Sequence, residues 1–230
     1  PFHVAESRFD VAWPADVGRY DRLLVDLVMH CPEHDDRNCG EWDYLAHLRA
    51  CAVVEGEERC DTEIARWITT YAREGRWVTD LTPMIAHLAH LGWPTRFRFH
   101  NPRQPNGGTY DLKLTFHFLD TGAPDRPATW QPMFGGGAFD AAYNEGREPM
   151  AFTVPEGATR VELVTLTTGH GFGRDAANCA EFCNHTHHYT VDDDPTEFVQ
   201  EQAQVNNRYG CAAQIIDGTV PNQYGTWVFG

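Results

Sequence analysis

Four stretches of this chain alternate apolar and polar residues with a period of two: RLLVDLVMH (22–30), TRFRFHNP (95–102), DLKLTFHFLD (111–120) and TRVELVTLTT (159–168). Successive side chains on a strand point to opposite faces, so each stretch predicts a strand with one face buried and the other in water. Turn formers fall between them at Pro14, Asn106-Gly107-Gly108 and Pro155-Glu156-Gly157. One segment reads as a short helix instead, with Asp80 as its cap, Pro83 near its start, a stripe of Met84, Ile85, Leu88 and Leu91, and Gly92 as its stop. His87 and His90 lie three apart on that helix and are expected to be solvated rather than ligands. Many short strands with little helix predict an all-β fold of antiparallel sandwiches of the jelly-roll kind. The proline-rich DTGAPDRPA (120–128) interrupts the pattern, which places the expected boundary between an N-terminal domain, 1–122, and a C-terminal domain, 127–230.

With 230 residues, 42% of them apolar, the chain has enough material for one large β domain or two smaller ones. A formal net charge of −15 and no basic patch argue against a nucleic-acid partner, whose phosphates would be repelled. No apolar run approaches the roughly 18 residues of a membrane span, so no membrane partner is expected, and the first residues lack the basic-then-apolar order of a signal peptide. Seven cysteines remain to be placed. The close spacings Cys31/Cys39, Cys51/Cys60 and Cys179/Cys183 look like local disulfide loops formed in an oxidising compartment, so a secreted, periplasmic or cell-surface location is expected, any signal having been removed. Structural zinc fits less well, because zinc knuckles space their cysteines in two matched close pairs. Cys211 is left over and calls for a partner outside these residues.

The segment NCAEFCNHTHHYTV (178–191) concentrates the chemistry. It admits a hydrolytic site on Glu181, a metal site on His185, His187 and His188, or a disulfide-stapled strand with surface imidazoles. On a strand His185 and His187 share a face and His188 points the other way, so the first two can take one ion with a third ligand from an adjacent strand, such as His170.

FDVAWPADVGRYDRLLVDLVMHCP (9–32), CGEWDYLAHL (39–48), EIARWITTY (63–71), CAEFC with the HTH that follows it (179–187), and the tail from Cys211 together resemble the bacterial peptide-N-glycosidase F family. Members of that family cut the amide between asparagine and an N-linked glycan. The resemblance threads almost the whole chain in order and implies two eight-stranded antiparallel jelly rolls side by side, with the site in the cleft between them. It implies Asp43 as the essential acid-base residue and Glu181, inside the Cys179–Cys183 loop, as the second carboxylate. Such a pair suits amide hydrolysis, which needs one group to activate water and another to protonate the leaving nitrogen. The departures from the family fall largely on imidazoles. Its third carboxylate belongs to the strand that here reads TRFRFHN, where His100 lies two positions from that slot on the same face. His170 stands for an aromatic beside the sugar, His185 and His188 for an arginine and a threonine, and Tyr44 follows Asp43 in place of an arginine. Family members also continue beyond the position of Gly230. That predicts a partial second jelly roll, completed by residues not in this chain, with a second chain or C-terminal fragment as the candidate partner of Cys211.

His-Thr-His-His on a jelly-roll strand is also similar to the motif by which the ascorbate-dependent copper monooxygenases hold their oxygen-activating copper, on a two-jelly-roll architecture. In that comparison His185 and His187 are the matched ligands. Met133 and Met150 are candidate sulfur donors, although neither lies in a matching motif. Copper suits such a site because imidazoles bind both its oxidation states, with zinc as the alternative. Three functions are therefore expected, in this order. The first is a secreted copper-dependent oxidoreductase of monooxygenase type on the glycosidase-like scaffold, with His185, His187 and His170 as principal ligands, His188 beside them and His100 or Asp43 facing them. The second is a peptide-N-glycosidase acting on a peptide or glycopeptide substrate through Asp43 and Glu181. The third is a non-catalytic metal- or glycan-binding module.

Overall fold

A computed structural model of the chain describes residues 4–124, 126–137, 140–145, 147–168, 171, 185–192, 196–202, 219–221 and 227–229. The chain divides into two compact units, Pro1–Phe134 with Glu148–Thr167, and Gly135–Arg147 with Thr168–Gly230. The fold is all-β, built of antiparallel ladders in the jelly-roll manner.

The first unit is a sandwich. Its strands are β1 (Val4–Asp10), β2 (Arg22–His30), β3 (Leu45–Val54), β4 (Glu57–Ile68), β5 (Gly75–Asp80), β6 (Arg96–Pro102) and β7 (Asp111–Leu119). One sheet has the order β1-β6-β3-β4 and the other β5-β2-β7, so most consecutive strands change sheet and sequence neighbours rarely pair. The alternation seen in the sequence explains why the layers close. Leu23, Val25, Leu27 and Met29 on β2 are fully buried, and they meet Phe97 and Phe99 of β6 and Ala46, Leu48 and Ala50 of β3 in one core. Burial of side chains of this size contributes about 1.5–3 kcal/mol each, which makes the inward face of β2 the anchor of its sheet. β3 and β4, which lie outside the four alternating stretches, form a hairpin through Glu55-Gly56. Both turn residues have positive φ, 54° and 83°, as a type I′ two-residue connection requires.

The expected helix is present but short. A 3-10 turn, Thr82–Met84, runs into α1 (Ile85–His90), Asp80 Oδ1 accepts a hydrogen bond from Thr82 N at 2.8 Å, and Gly92 at φ 72° ends it. Met84, Ile85 and Leu88 are buried as the stripe requires. His87 corrects the sequence reading: it is half-buried against the Trp130 ring, 5.5 Å between centroids, and burial lowers its pKa from 6.5. His90 is exposed as expected.

A second correction concerns 159–168, which forms no strand. Val161 and Leu163 on it are 59% and 49% exposed, and the turn before it closes with Ala158 N donating to Pro155 O at 3.1 Å. Alternation supplies a face, but a strand also needs a ladder partner, and among the described residues none pairs with this stretch.

In the second unit, β8 (His185–Thr190) pairs with β9 (Glu197–Gln202), and β10 (Thr219–Pro221) with β11 (Trp227–Phe229), both antiparallel. Arg147 donates to Gly135 O at 2.7 Å and lies over the Tyr143 ring at 4.5 Å, which closes the turn between them.

Candidate active site

Asp43 lies on the short segment that leaves the Cys31–Cys39 disulfide and enters β3. The Cys51–Cys60 disulfide, across β3 and β4, is the second bond that the spacings anticipated. Together these bonds rule out zinc binding by those four cysteines, since a disulfide sulfur carries no thiolate to donate.

Residues 40–44 are held by two backbone hydrogen bonds, Thr69 N to Tyr44 O and Ala72 N to Gly40 O, both at 2.9 Å, and by side chains from elsewhere in the first unit. Gln104, 2% exposed, accepts from Trp42 N at 2.8 Å and donates to Trp42 O at 2.9 Å. Thr69 Oγ1 donates to the same carbonyl at 3.0 Å and accepts from Tyr44 N at 2.8 Å. Tyr110 Oη donates to Thr70 O at 2.7 Å and lies 3.3 Å from Gly40 O. Gly108 passes so close that a Cβ there would sit 2.0 Å from Cys39 O. Much of the polar backbone of this loop is thus paired outside a regular ladder, which lets the segment bend inward.

The bend carries Asp43 out of water. Its residue exposure is 4%, and burial pushes the carboxyl from its ordinary 3.8 up to about 6, although a hydrogen bond from Tyr71 works against the rise. Burial likewise raises the Tyr110 phenol to about 12, and the nearby Asp43 charge adds to that rise. A carboxyl of this kind exchanges its proton close to neutral pH, the range in which a general acid or base is most effective. Trp42 packs edge-on to Tyr71 at 6.3 Å. A cavity of about 750 Å³ between the edge strands β1 and β7, lined by Phe9, Trp13, Phe99, Phe116 and Phe118, touches this site only through Tyr110.

His100 stands elsewhere on the sandwich, on the outer face of the β1-β6-β3-β4 sheet. It pairs across the ladder with His47, and the two rings stack at 5.7 Å. His47 Nδ1 lies 2.9 Å from Glu63. Burial acts to raise the Glu63 carboxyl, but hydrogen bonds from His47 and Arg66 overcome it and hold the group at about 2. Burial also lowers the pKa of His100.

On β8 the burial alternates as the sequence anticipated. His185, His187 and Tyr189 share the more sheltered face, while His188 is on the exposed one, 2.9 Å from Glu197. His170, Glu181, Cys179, Cys183 and Cys211 lie outside the described residues. Among the described residues, the groups of side chains close enough to share an ion are His30–His34–Glu74 and Cys51–Glu58–Cys60, the latter closed by its disulfide. None of His100, His185, His187 and His188 belongs to either.

Sequence reasoning did not reach Tyr71, Gln104, Thr69 or Tyr110. Tyr71 ends the stretch EIARWITTY, so its neighbourhood was visible, but nothing in the spacing shows that its hydroxyl turns toward a residue 28 positions earlier.

The comparison with protein families bears on these readings. Residues 138–230 match the family model described as peptide-N-glycosidase F, C terminal. The chain thus carries a peptide-N-glycosidase F-like C-terminal part, which includes the β8 histidines, while Asp43 lies in the part that precedes the match. Neither the curated proteins nor the solved structures return a match. The peptide-N-glycosidase F match favours the hydrolytic expectation over the copper-monooxygenase one, which gains nothing from it. No helix among the described residues is long and apolar enough to cross a membrane.

Proposed function

We propose that the protein is a peptide-N-glycosidase-type amidase, a hydrolase of the amide that joins an asparagine side chain to a glycan in a glycopeptide, with Asp43 as its principal acid-base residue. The observation that carries this reading is the Asp43 carboxyl, buried, hydrogen-bonded by Tyr71 and raised to about 6. The peptide-N-glycosidase F match of residues 138–230 supports the substrate class.

In the step itself, water adds to the amide carbonyl carbon, the carbon–nitrogen bond breaks, and the nitrogen leaves on the sugar with one added proton. The peptide keeps a carboxylic acid in place of the amide. Asp43, ionised above its pKa, takes the proton from the attacking water, and a second acid delivers a proton to the leaving nitrogen. Glu181 is our candidate for that second group. The rigid backbone around Trp42 and Tyr44 holds the base in one orientation, which lowers the entropic cost of reaching the transition state.

Release of glycan from an N-glycosylated peptide tests the proposal. Asp43→Asn should lower kcat/KM by about 10²–10⁴ while leaving the circular dichroism spectrum intact. For the wild type kcat/KM should rise through a limb near pH 6, the value at which the base ionises. Full glycan release by Asp43→Asn would overturn the assignment.

A further inference from the structure

At the end of β2 stands a second cluster, unconnected with the proposed chemistry. His30 is the last residue of that strand, on the face opposite the buried Met29. Glu74 lies one step beyond the Met29–Gly75 pair with β5, which brings it alongside His30. His34 is returned to the same place by a tight turn in which Glu33 and His34 both have positive φ, 59° and 54°. The turn is closed by His34 N donating to Cys31 O at 2.9 Å and by the Cys31–Cys39 disulfide. Consecutive left-handed residues without glycine persist only where the surroundings enforce them.

Three donor atoms converge there. His34 Nδ1 is 2.7 Å from Glu74 Oε1, and His30 Nδ1 is 3.2 Å from Glu74 Oε2. One ligand atom from each of the three residues lies within 4.8 Å of the others. A tetrahedral zinc ion with bonds of 2.0–2.2 Å sets its ligands about 3.3–3.6 Å apart, so the two imidazole–carboxylate contacts need open only slightly to seat one. The main competing account is a metal-free ion triad, in which both imidazoles would hydrogen-bond the carboxylate. His34 does so, and His30 Nδ1 faces the other carboxylate oxygen at ion-pair distance without a well-directed hydrogen bond, so the zinc titration below separates the two accounts. Cys31 N donates to Glu74 Oε1 at 3.2 Å, the kind of outer contact that orients a ligating carboxylate.

We infer that His30, His34 and Glu74 form a binding site for a divalent zinc-class cation, with a fourth position open to water. Two imidazoles and one carboxylate make a borderline donor set that suits zinc better than calcium or magnesium, both of which take oxygen ligands. A bound ion would tie the end of β2, the disulfide turn and the start of β5 into one unit.

Isothermal titration of zinc sulfate into the metal-free full chain tests this. One ion per chain should bind with micromolar or tighter affinity, and His34→Ala and Glu74→Gln should each weaken that binding by about tenfold or more. Zinc should raise the melting temperature of the wild type but not of His34→Ala, whose exposed position keeps the variant folded in either case. Absence of stoichiometric binding, or binding unchanged by His34→Ala, overturns the inference. The readout is independent of glycan release, so its failure would leave the Asp43 assignment standing, and failure of that assignment would leave this one untouched.

Discussion

Replacement of Asp43 by asparagine should remove a charge that the fold tolerates at a cost, and the size of that cost can be worked out from its ionisation. The carboxyl ionises at its ordinary 3.8 in the unfolded chain and at about 6 in the folded one. Between those values the native protein holds a proton that the unfolded chain has released, so stability falls as pH rises through this window and is level above it. The full difference amounts to about 3 kcal/mol. Asparagine has nearly the same shape and can still accept from Tyr71, but it does not titrate. The stability of Asp43→Asn minus that of the wild type should therefore increase by about 3 kcal/mol between pH 3.5 and pH 7. Urea unfolding at a series of pH values, without reductant, measures this, and the use of a difference cancels any constant effect of the substitution. The same variant is expected to lose glycan release, so stability and activity should move in opposite directions. A difference that stays flat across the window, or one that falls with pH, would refute the claim that burial dominates at Asp43.

Tyr71→Phe removes the hydrogen bond that opposes the burial effect on Asp43, so the limb in kcat/KM should move to higher pH, at a stability cost of about 1 kcal/mol. A pH profile on a glycopeptide reads the shift, and a limb that stays in place would show that the phenol does not tune the base. Gly108→Ala places a methyl group 2.0 Å from Cys39 O and 2.9 Å from Gly40 N, both backbone atoms that cannot swing aside. It should lower stability by about 1–3 kcal/mol in a thermal melt, and a wild-type melting temperature would show that the close approach is not rigid.

The parts of this molecule that were legible in sequence are those governed by local periodicity and spacing. β2, β6 and β7 follow the two-residue alternation, and the residues expected inside, such as Leu23, Val25, Phe97 and Phe99, are the ones without exposure. The bonds Cys31–Cys39 and Cys51–Cys60 follow from short loops between cysteines. What failed did so for a common reason. TRVELVTLTT has the alternation of a strand, but a ladder is a relation between two segments, and the second member is not encoded in the first. His87 looked solvated because its helix position faces outward, yet Trp130, more than forty residues later, covers it. Asp43 became visible through resemblance to a family, whereas its raised pKa depends on burial that no local pattern displays. Glu74 likewise lies forty residues from His34, so the HCPEH spacing alone could not announce the cluster they form.

The amide of Gln104 reaches Trp42 across 62 positions of chain and contacts both its N–H and its C=O, as a neighbouring strand would. At Trp42 a side chain thus does the work of a ladder partner, with Thr69 beside it. The aim of the Asp43 carboxyl consequently depends in part on a residue that need never meet a substrate. Under the proposed function, variation at position 104 would re-aim the Asp43 carboxyl without replacing it.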